Sequence, residues 1–259
     1  MILVTAIAGL FAGVVVNALA DSLPTARAVR PPSCGSCGAP RPRLGWSGVS
    51  AWITRNSHCP YCDAPQSARR PIVEILAVAW SVVLSLIVPA AGLYWPSFLL
   101  STIMLLVIVI DLEHRLILHV VTGPAAILMG LLGSLDASRG PVKTVLGGAV
   151  GFLVVLGLFL LGGLFARLIC RVRGQTLDEV AFGFGDVTLA GVIGLAVGFP
   201  GIVVALTLGV LAGGVFSLGY LLFMIARGRY VAFTPIPYSP FLVLGALVVF
   251  IGARSGLFG

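Results

Sequence analysis

Two aspartates and four cysteines carry the chemistry this chain could do. Asp111 closes the apolar run from Phe98 to Ile110. Asp186 opens another, from Val187 towards Phe199, and stands in the glycine-framed stretch Phe182-Gly183-Phe184-Gly185-Asp186. A carboxylate taken towards a bilayer is costly unless it gains a partner, water access or a raised pKa. Two carboxylates about 3 Å apart separate their pKa values, so that one, ionised, can act as general base for water while the other, protonated, polarises a carbonyl. That is the chemistry of amide hydrolysis, and Asp111 and Asp186 are expected to form one catalytic pair. Glu113 would face away from Asp111 on a helix, and Asp178 and Glu179 precede the glycine-framed stretch in a polar loop. Glu74, at the start of an apolar run, reads as a structural or loop-facing anion. Gly183 and Gly185 would let the backbone bend and an extended substrate strand approach closely. Taken alone, they also fit an ordinary turn ahead of a helix.

The second constellation is Cys34-Gly35-Ser36-Cys37 and Cys59-Pro60-Tyr61-Cys62, with 21 residues between the pairs. Each CxxC can form a tight knuckle, and four thiolates complete a tetrahedron around zinc. Four thiolates leave no open coordination position, which makes the expected metal structural. Two disulfides are the alternative, disfavoured if the segment faces a reducing compartment. His58 is a spare neighbour of Cys59. His114 and His119 lie five apart, off a single helical face, and read as interfacial loop residues. Cys170 reads as a small buried hydrophobe.

The elements that must position these residues are helices in a membrane. Hydrophobic residues make up 59% of the 259, charged residues only 10%, and the mean hydropathy is +1.11, which excludes an ordinary soluble domain. Apolar runs near 2–20, 72–90, 96–112, 120–135, 144–169, 186–199, 201–226 and 239–257 predict about eight transmembrane helices. The first reads as a retained helix, since no basic region precedes it. Placing segment 21–71 in the cytoplasm puts thirteen arginines inside and leaves Arg139, Lys143 and Arg254 outside. On that topology both termini lie outside, and Asp111 and Asp186 fall at the same, cytoplasmic face. The net charge of +7 is then loop charge that orients helices, with no stripe suited to nucleic acid. Glycine pairs such as Gly147-Gly148, Gly162-Gly163 and Gly213-Gly214 suit close helix packing.

Taken in order, these residues resemble the type IV prepilin leader peptidases, membrane aspartic proteases of the GxGD class. Gly13-Val14-Val15-Val16-Asn17 with Leu23-Pro24 is similar to that family's Gly-Ser-Phe-Leu-Asn and Arg-Leu-Pro segment. The two CxxC pairs follow, then Arg69-Arg70-Pro71-Ile72-Val73-Glu74, which resembles Arg-Tyr-Pro-Leu-Val-Glu. Asp111-Leu112-Glu113-His114-Arg115-Leu116-Ile117 resembles the first catalytic motif and Gly183-Phe184-Gly185-Asp186-Val187 the second. Pro237-Tyr238-Ser239-Pro240-Phe241-Leu242 is similar to Pro-Phe-Gly-Pro-Phe-Leu near the last span. The chain departs from the pattern at Leu118 (usually proline), Thr188 (usually lysine), Ser22 (usually arginine) and Val14-Val15 (usually Ser-Phe).

The resemblance implies an all-α polytopic protein of the bacterial inner membrane with a small cytoplasmic zinc-ribbon-like insertion after helix 1. It implies an aspartic endopeptidase that removes the basic leader of type IV pilin-like precursors after a glycine. Residues 1–71 would be the half associated with N-methylation of the new N-terminus by S-adenosylmethionine, and 72–259 the peptidase domain. Expected partners are prepilin-like substrates and membrane lipids. The paired acids alone leave a proton- or cation-coupled transporter open as an alternative, although that reading gives no reason for the zinc ribbon.

Overall fold

The computed structural model describes residues 1–26, 31–42, 45–55, 57–173, 183–228 and 237–255. Phe182, Asp178 and Glu179 lie outside the described residues, as does the side chain of Cys170. Nine helices are described: α1 (Ile2–Ala26), α2 (Gly48–Ile53), α3 (Arg69–Ile87), α4 (Ala91–His114), α5 (His119–Leu135), α6 (Gly140–Arg173), α7 (Phe184–Val197), α8 (Gly201–Ala226) and α9 (Ser239–Ser255). Five are long and apolar enough to cross a membrane: α1, α3, α4, α6 and α8. The apolar helices α5, α7 and α9 are shorter. The eight apolar runs of the sequence each correspond to one of these helices, and no strand occurs among the described residues. The chain is a multi-pass membrane protein.

Two compact units divide between Ile110 and Asp111. In the first, α1 packs along α3, and the contact is sealed by polar groups with partners inside the unit. Ser81 Oγ donates to the carbonyl of Thr5 at 2.6 Å and shares a 2.7 Å hydrogen bond with the Tyr94 hydroxyl. Such pairing removes the cost of bare hydroxyls in hydrocarbon. At the other end of the pair, Asp21 is held by both Arg69 and Arg70. This ion pair explains why α1 continues to Ala26, beyond the apolar run that ends at Ala20.

In the second unit α7 is the central helix. Val187, Leu189, Ala190, Val192, Ile193 and Ala196 are all buried, with neighbours from α5, α6, α8 and α9. Contact with α6 depends on bare backbone: a Cβ at Gly194 would lie 2.1 Å from the Gly147 carbonyl oxygen. Not every glycine serves this purpose, because a Cβ at Gly163 or Gly214 would meet nothing within 4 Å. At the end of α7 remote from Asp186, Arg139 donates to the carbonyl of Ala196 and pairs with Asp136, which also pairs with Arg254 at 3.7 Å.

Candidate active site

The two aspartates sit at helix ends that converge in the second unit. Asp111 lies in the last turn of α4, which ends at His114; the next residue, Arg115, adopts the left-handed conformation (φ 53°) and its amide donates to the Asp111 carbonyl at 2.8 Å. The chain then runs without helix to Leu118, whose carbonyl receives the amides of Val121 and Thr122 in the first turn of α5. Asp111 is buried, with 7% of its surface exposed. Its Oδ2 accepts a 2.5 Å hydrogen bond from the hydroxyl of Ser239, the first residue of α9.

Asp186 occupies the third position of α7. The Gly183 amide donates to Asp186 Oδ2 at 2.9 Å, and the Asp186 amide donates back to the Gly183 carbonyl at 3.0 Å. This closes the first turn reciprocally and places the carboxylate at the positive end of the helix. The carboxylates of Asp111 and Asp186 are near enough to interact electrostatically, and Tyr238 lies within the field of Asp186. Three helix ends thus meet: the C-terminus of α4 and the N-termini of α7 and α9.

The two framing glycines differ. A Cβ on Gly185 would stand 2.6 Å from the Ile117 Cβ, so its missing side chain makes room for the segment that follows Asp111. A Cβ on Gly183 would meet nothing closer than 3.7 Å. Phe184, between them, is half exposed and meets the rings of His119 and Phe159 edge-on at 5.9 Å and 6.3 Å. Beside it opens an apolar cleft of about 480 Å³ between α5, α6 and α7, with His119 and Thr188 among its lining residues. The Thr188 hydroxyl is turned back onto its own helix, donating to the Gly185 carbonyl at 2.8 Å.

The four cysteines gather in the first unit, every Sγ within 4.8 Å of the others. Cys34 and Cys62 are 3.7 Å apart, and so are Cys37 and Cys59. A zinc tetrahedron with Zn–S bonds near 2.3 Å has edges of about 3.8 Å, whereas a disulfide would need about 2.05 Å. The spacing fits a four-thiolate metal centre. The knuckles are near copies: Gly38 N–H donates to the Cys34 carbonyl and Asp63 N–H to the Cys59 carbonyl, both at 2.9 Å, with Gly38 and Asp63 in the left-handed conformation. Cys37 and Ser36 amides lower the Cys34 thiol to about 6. The Ala64 amide favours the Cys62 thiolate, but the neighbouring sulfurs oppose it and push that thiol up to about 12. Sulfurs crowded to that degree favour a shared cation over four protons.

Sequence reasoning missed Ser239 and, for Glu74, which it read as structural, the partners that it serves. Ser239 has no charge and no metal-ligand spacing, and its only signal was its place in the Pro237–Leu242 motif. Glu74 is fully buried and serves as an acceptor hub for the first unit. It receives Ser47 Oγ at 2.6 Å, the amides of Gly48 and Val49 at 2.7 Å and 3.0 Å, and Asn17 Nδ2 at 3.3 Å. The short helix α2 that it caps left no periodicity to read.

Two family models and several known proteins match the chain. The type IV leader peptidase family matches residues 98–218, and the bacterial peptidase A24 N-terminal domain matches residues 4–88. A prepilin leader peptidase/N-methyltransferase of Xanthomonas campestris pv. campestris is 30% identical over 211 residues, covering 79% of this chain and 67% of that protein. Its counterpart from Aeromonas salmonicida is 26% identical over 223 residues, covering 86% and 71%. The type 4 prepilin-like proteins leader peptide-processing enzyme of Escherichia coli O78:H11 is 26% identical over 200 residues, covering 76% and 66%. No solved structure matches the chain.

Proposed function

Because the chain belongs to the type IV leader peptidase family, we propose that it is an aspartic endopeptidase that cleaves the basic leader from prepilin-like precursors, with Asp111 and Asp186 as its catalytic pair. One observation supports the assignment of residues: two carboxylates, far apart in sequence, stand at helix ends of one unit, Asp111 bonded to the first residue of α9 and Asp186 closing the first turn of α7. One carboxylate removes a proton from water as it attacks the scissile carbonyl, and the other donates a proton to the carbonyl oxygen. They then exchange roles to protonate the departing amine. The Ser239 hydroxyl, donating to Asp111 Oδ2, holds that carboxyl in one orientation at the end of α4.

The excess of arginine in the loops beside the aspartates supports a multi-pass protein of the bacterial inner membrane with its site at the cytoplasmic face. Residues 72–259 would then carry the hydrolysis. Cys34, Cys37, Cys59 and Cys62 would hold structural zinc, whose contribution is to fold a segment poor in apolar residues. The comparisons give no support to a transporter.

Methylation of the new N-terminus is a second reading, favoured by the printed names of the relatives. The cleft of about 460 Å³ between α1 and α3, beside Glu74, does not fit the methyl donor. It is apolar, while S-adenosylmethionine carries an amino acid and an adenosine, and the Glu74 oxygens already accept four bonds. No step is assigned to it.

The test is co-expression of Asp111→Asn and Asp186→Asn proteins with a type IV prepilin, followed by mass spectrometry of the pilin N-terminus. Both variants should reach the membrane in normal amount and leave the leader attached. A mature pilin from either would overturn the assignment. A methyl group on pilin matured by the unaltered protein would decide the second reading.

A further inference from the structure

We propose that α2 is a membrane-surface anchor, an amphipathic turn whose Val49, Trp52 and Ile53 enter the bilayer interface and hold the four-cysteine segment against the lipid. The helix has three faces. Gly48 and Ala51 are buried, and Gly48 is seated so closely that a Cβ would lie 2.5 Å from the Pro71 nitrogen and 2.7 Å from the Arg70 Cβ. Ser47, Ser50 and Thr54 line a polar side, bonded within the helix or to Glu74. Val49, Trp52 and Ile53, at i, i+3 and i+4, form the third. Trp52 is 74% exposed and Ile53 70%, an arrangement costly in water.

The depth of α2 is set by Glu74. That residue lies five positions into the span Arg69–Ile87, about 7 Å along the helix axis. It accepts the first two amides of α2 at 2.7 Å and 3.0 Å. The beginning of α2 is therefore level with the first apolar turns of α3, where Ile72, Ile75 and Leu76 are each more than half exposed. Val49 lines the same apolar cleft as Ile7, Leu10, Ile75 and Val78. The exposed face of α2 thus continues the lipid-facing surface of α1 and α3. Tryptophan favours the headgroup level, with an apolar ring and one N–H to satisfy. Arg55, exposed two residues beyond Ile53, complements an anionic headgroup.

Because α2 lies between Cys37 and Cys59 in sequence, an anchor there constrains both knuckles at once. The occupant is a lipid surface, as distinct from a second copy of this chain or another protein.

The experiment uses the zinc-loaded full chain, labelled with fluorotryptophan, in nanodiscs of phosphatidylcholine and phosphatidylglycerol. A Trp52→Phe variant, harmless at so exposed a position, assigns the Trp52 fluorine resonance by its disappearance. A nitroxide lipid labelled near the headgroup end of its acyl chain should remove most of the Trp52 signal, and a soluble gadolinium chelate should leave most of it. Stronger broadening by the chelate than by the lipid label would mean that Trp52 faces water. Protection from both would mean that protein covers it. Either result overturns the proposal.

Discussion

The hydroxyl of Ser239 donates a 2.5 Å hydrogen bond to Oδ2 of Asp111, joining the first residue of α9 to the last turn of α4 across 128 positions of sequence. Both groups are buried, so water cannot replace the donor if it is lost. A hydrogen bond to a charged group contributes about 1.5–3 kcal/mol. Ser239→Ala should therefore lower kcat/KM for prepilin cleavage by about 10- to 100-fold, with normal protein in the membrane. Ser239→Thr, which keeps the hydroxyl, should recover part of the loss. Equal activity in the alanine and unaltered proteins would remove Ser239 from the account.

The glycines of the aspartate motif should respond unequally. Gly185→Ala must force its new carbon away from Ile117, and overpacking of this kind costs about 1–3 kcal/mol. Thermal stability and cleavage should both fall. Gly183 has an extended backbone (φ −84°) and open space around it, so Gly183→Ala should remain folded and active in the same assay. A tolerated Gly185→Ala would show that α7 can move off the Asp111 segment.

Metal analysis of the purified protein should find one zinc per chain. Cys34→Ser should abolish it, and strong chelators should make the segment around residues 31–68 readily cleaved by protease. Both knuckles should open together, because Cys34 lies beside Cys62 and Cys37 beside Cys59. Proteolysis confined to one knuckle, or an unchanged zinc content in Cys34→Ser, would contradict the shared site.

Asp136 predicts a dependence on pH at the loop between α5 and α6. Burial opposes its charge, but the Ser138 hydroxyl and amide, with Arg139 and Arg254, hold the carboxyl below the usual aspartate range. A carboxyl depressed in the folded state stabilises it above the unfolded pKa, and that stability is lost as pH falls through the folded value. Asp136→Asn should thus melt earlier than the unaltered protein at neutral pH, by about 1 kcal/mol or less for an ion pair that solvent partly screens. The two curves should converge in acid, below the usual aspartate range. A constant gap across the titration would rule the charge out as the cause.

From the sequence, the helices could be read because each apolar run is its own signal, and the thiolate cluster because two CxxC pairs leave few alternatives. Helix ends were less legible. At α1 the apolar run stops at Ala20, yet the ion pairs of Asp21 carry the helix on. At α4 the apolar run starts near residue 96, yet the helix begins at Ala91 and carries Pro96 in its second turn, where it forgoes one backbone hydrogen bond. The proximity of Asp111 and Asp186 could be argued only from topology, whereas the donor on Asp111 belonged to a serine with no distinguishing pattern. Glu74 was read as an anion at a helix start, but its four donors come from residues 17 and 47–49, contacts that no local spacing announces.

With 14 residues, α7 is about 21 Å long, while the hydrocarbon core of a bilayer is about 30 Å thick. No tilt can close a gap of that sign. Enclosed by α5, α6, α8 and α9, α7 can begin beneath the membrane surface without exposing its ends to lipid. If Asp186 acts as proposed, a chain lying in the membrane would meet it below the surface and would not have to be lifted out.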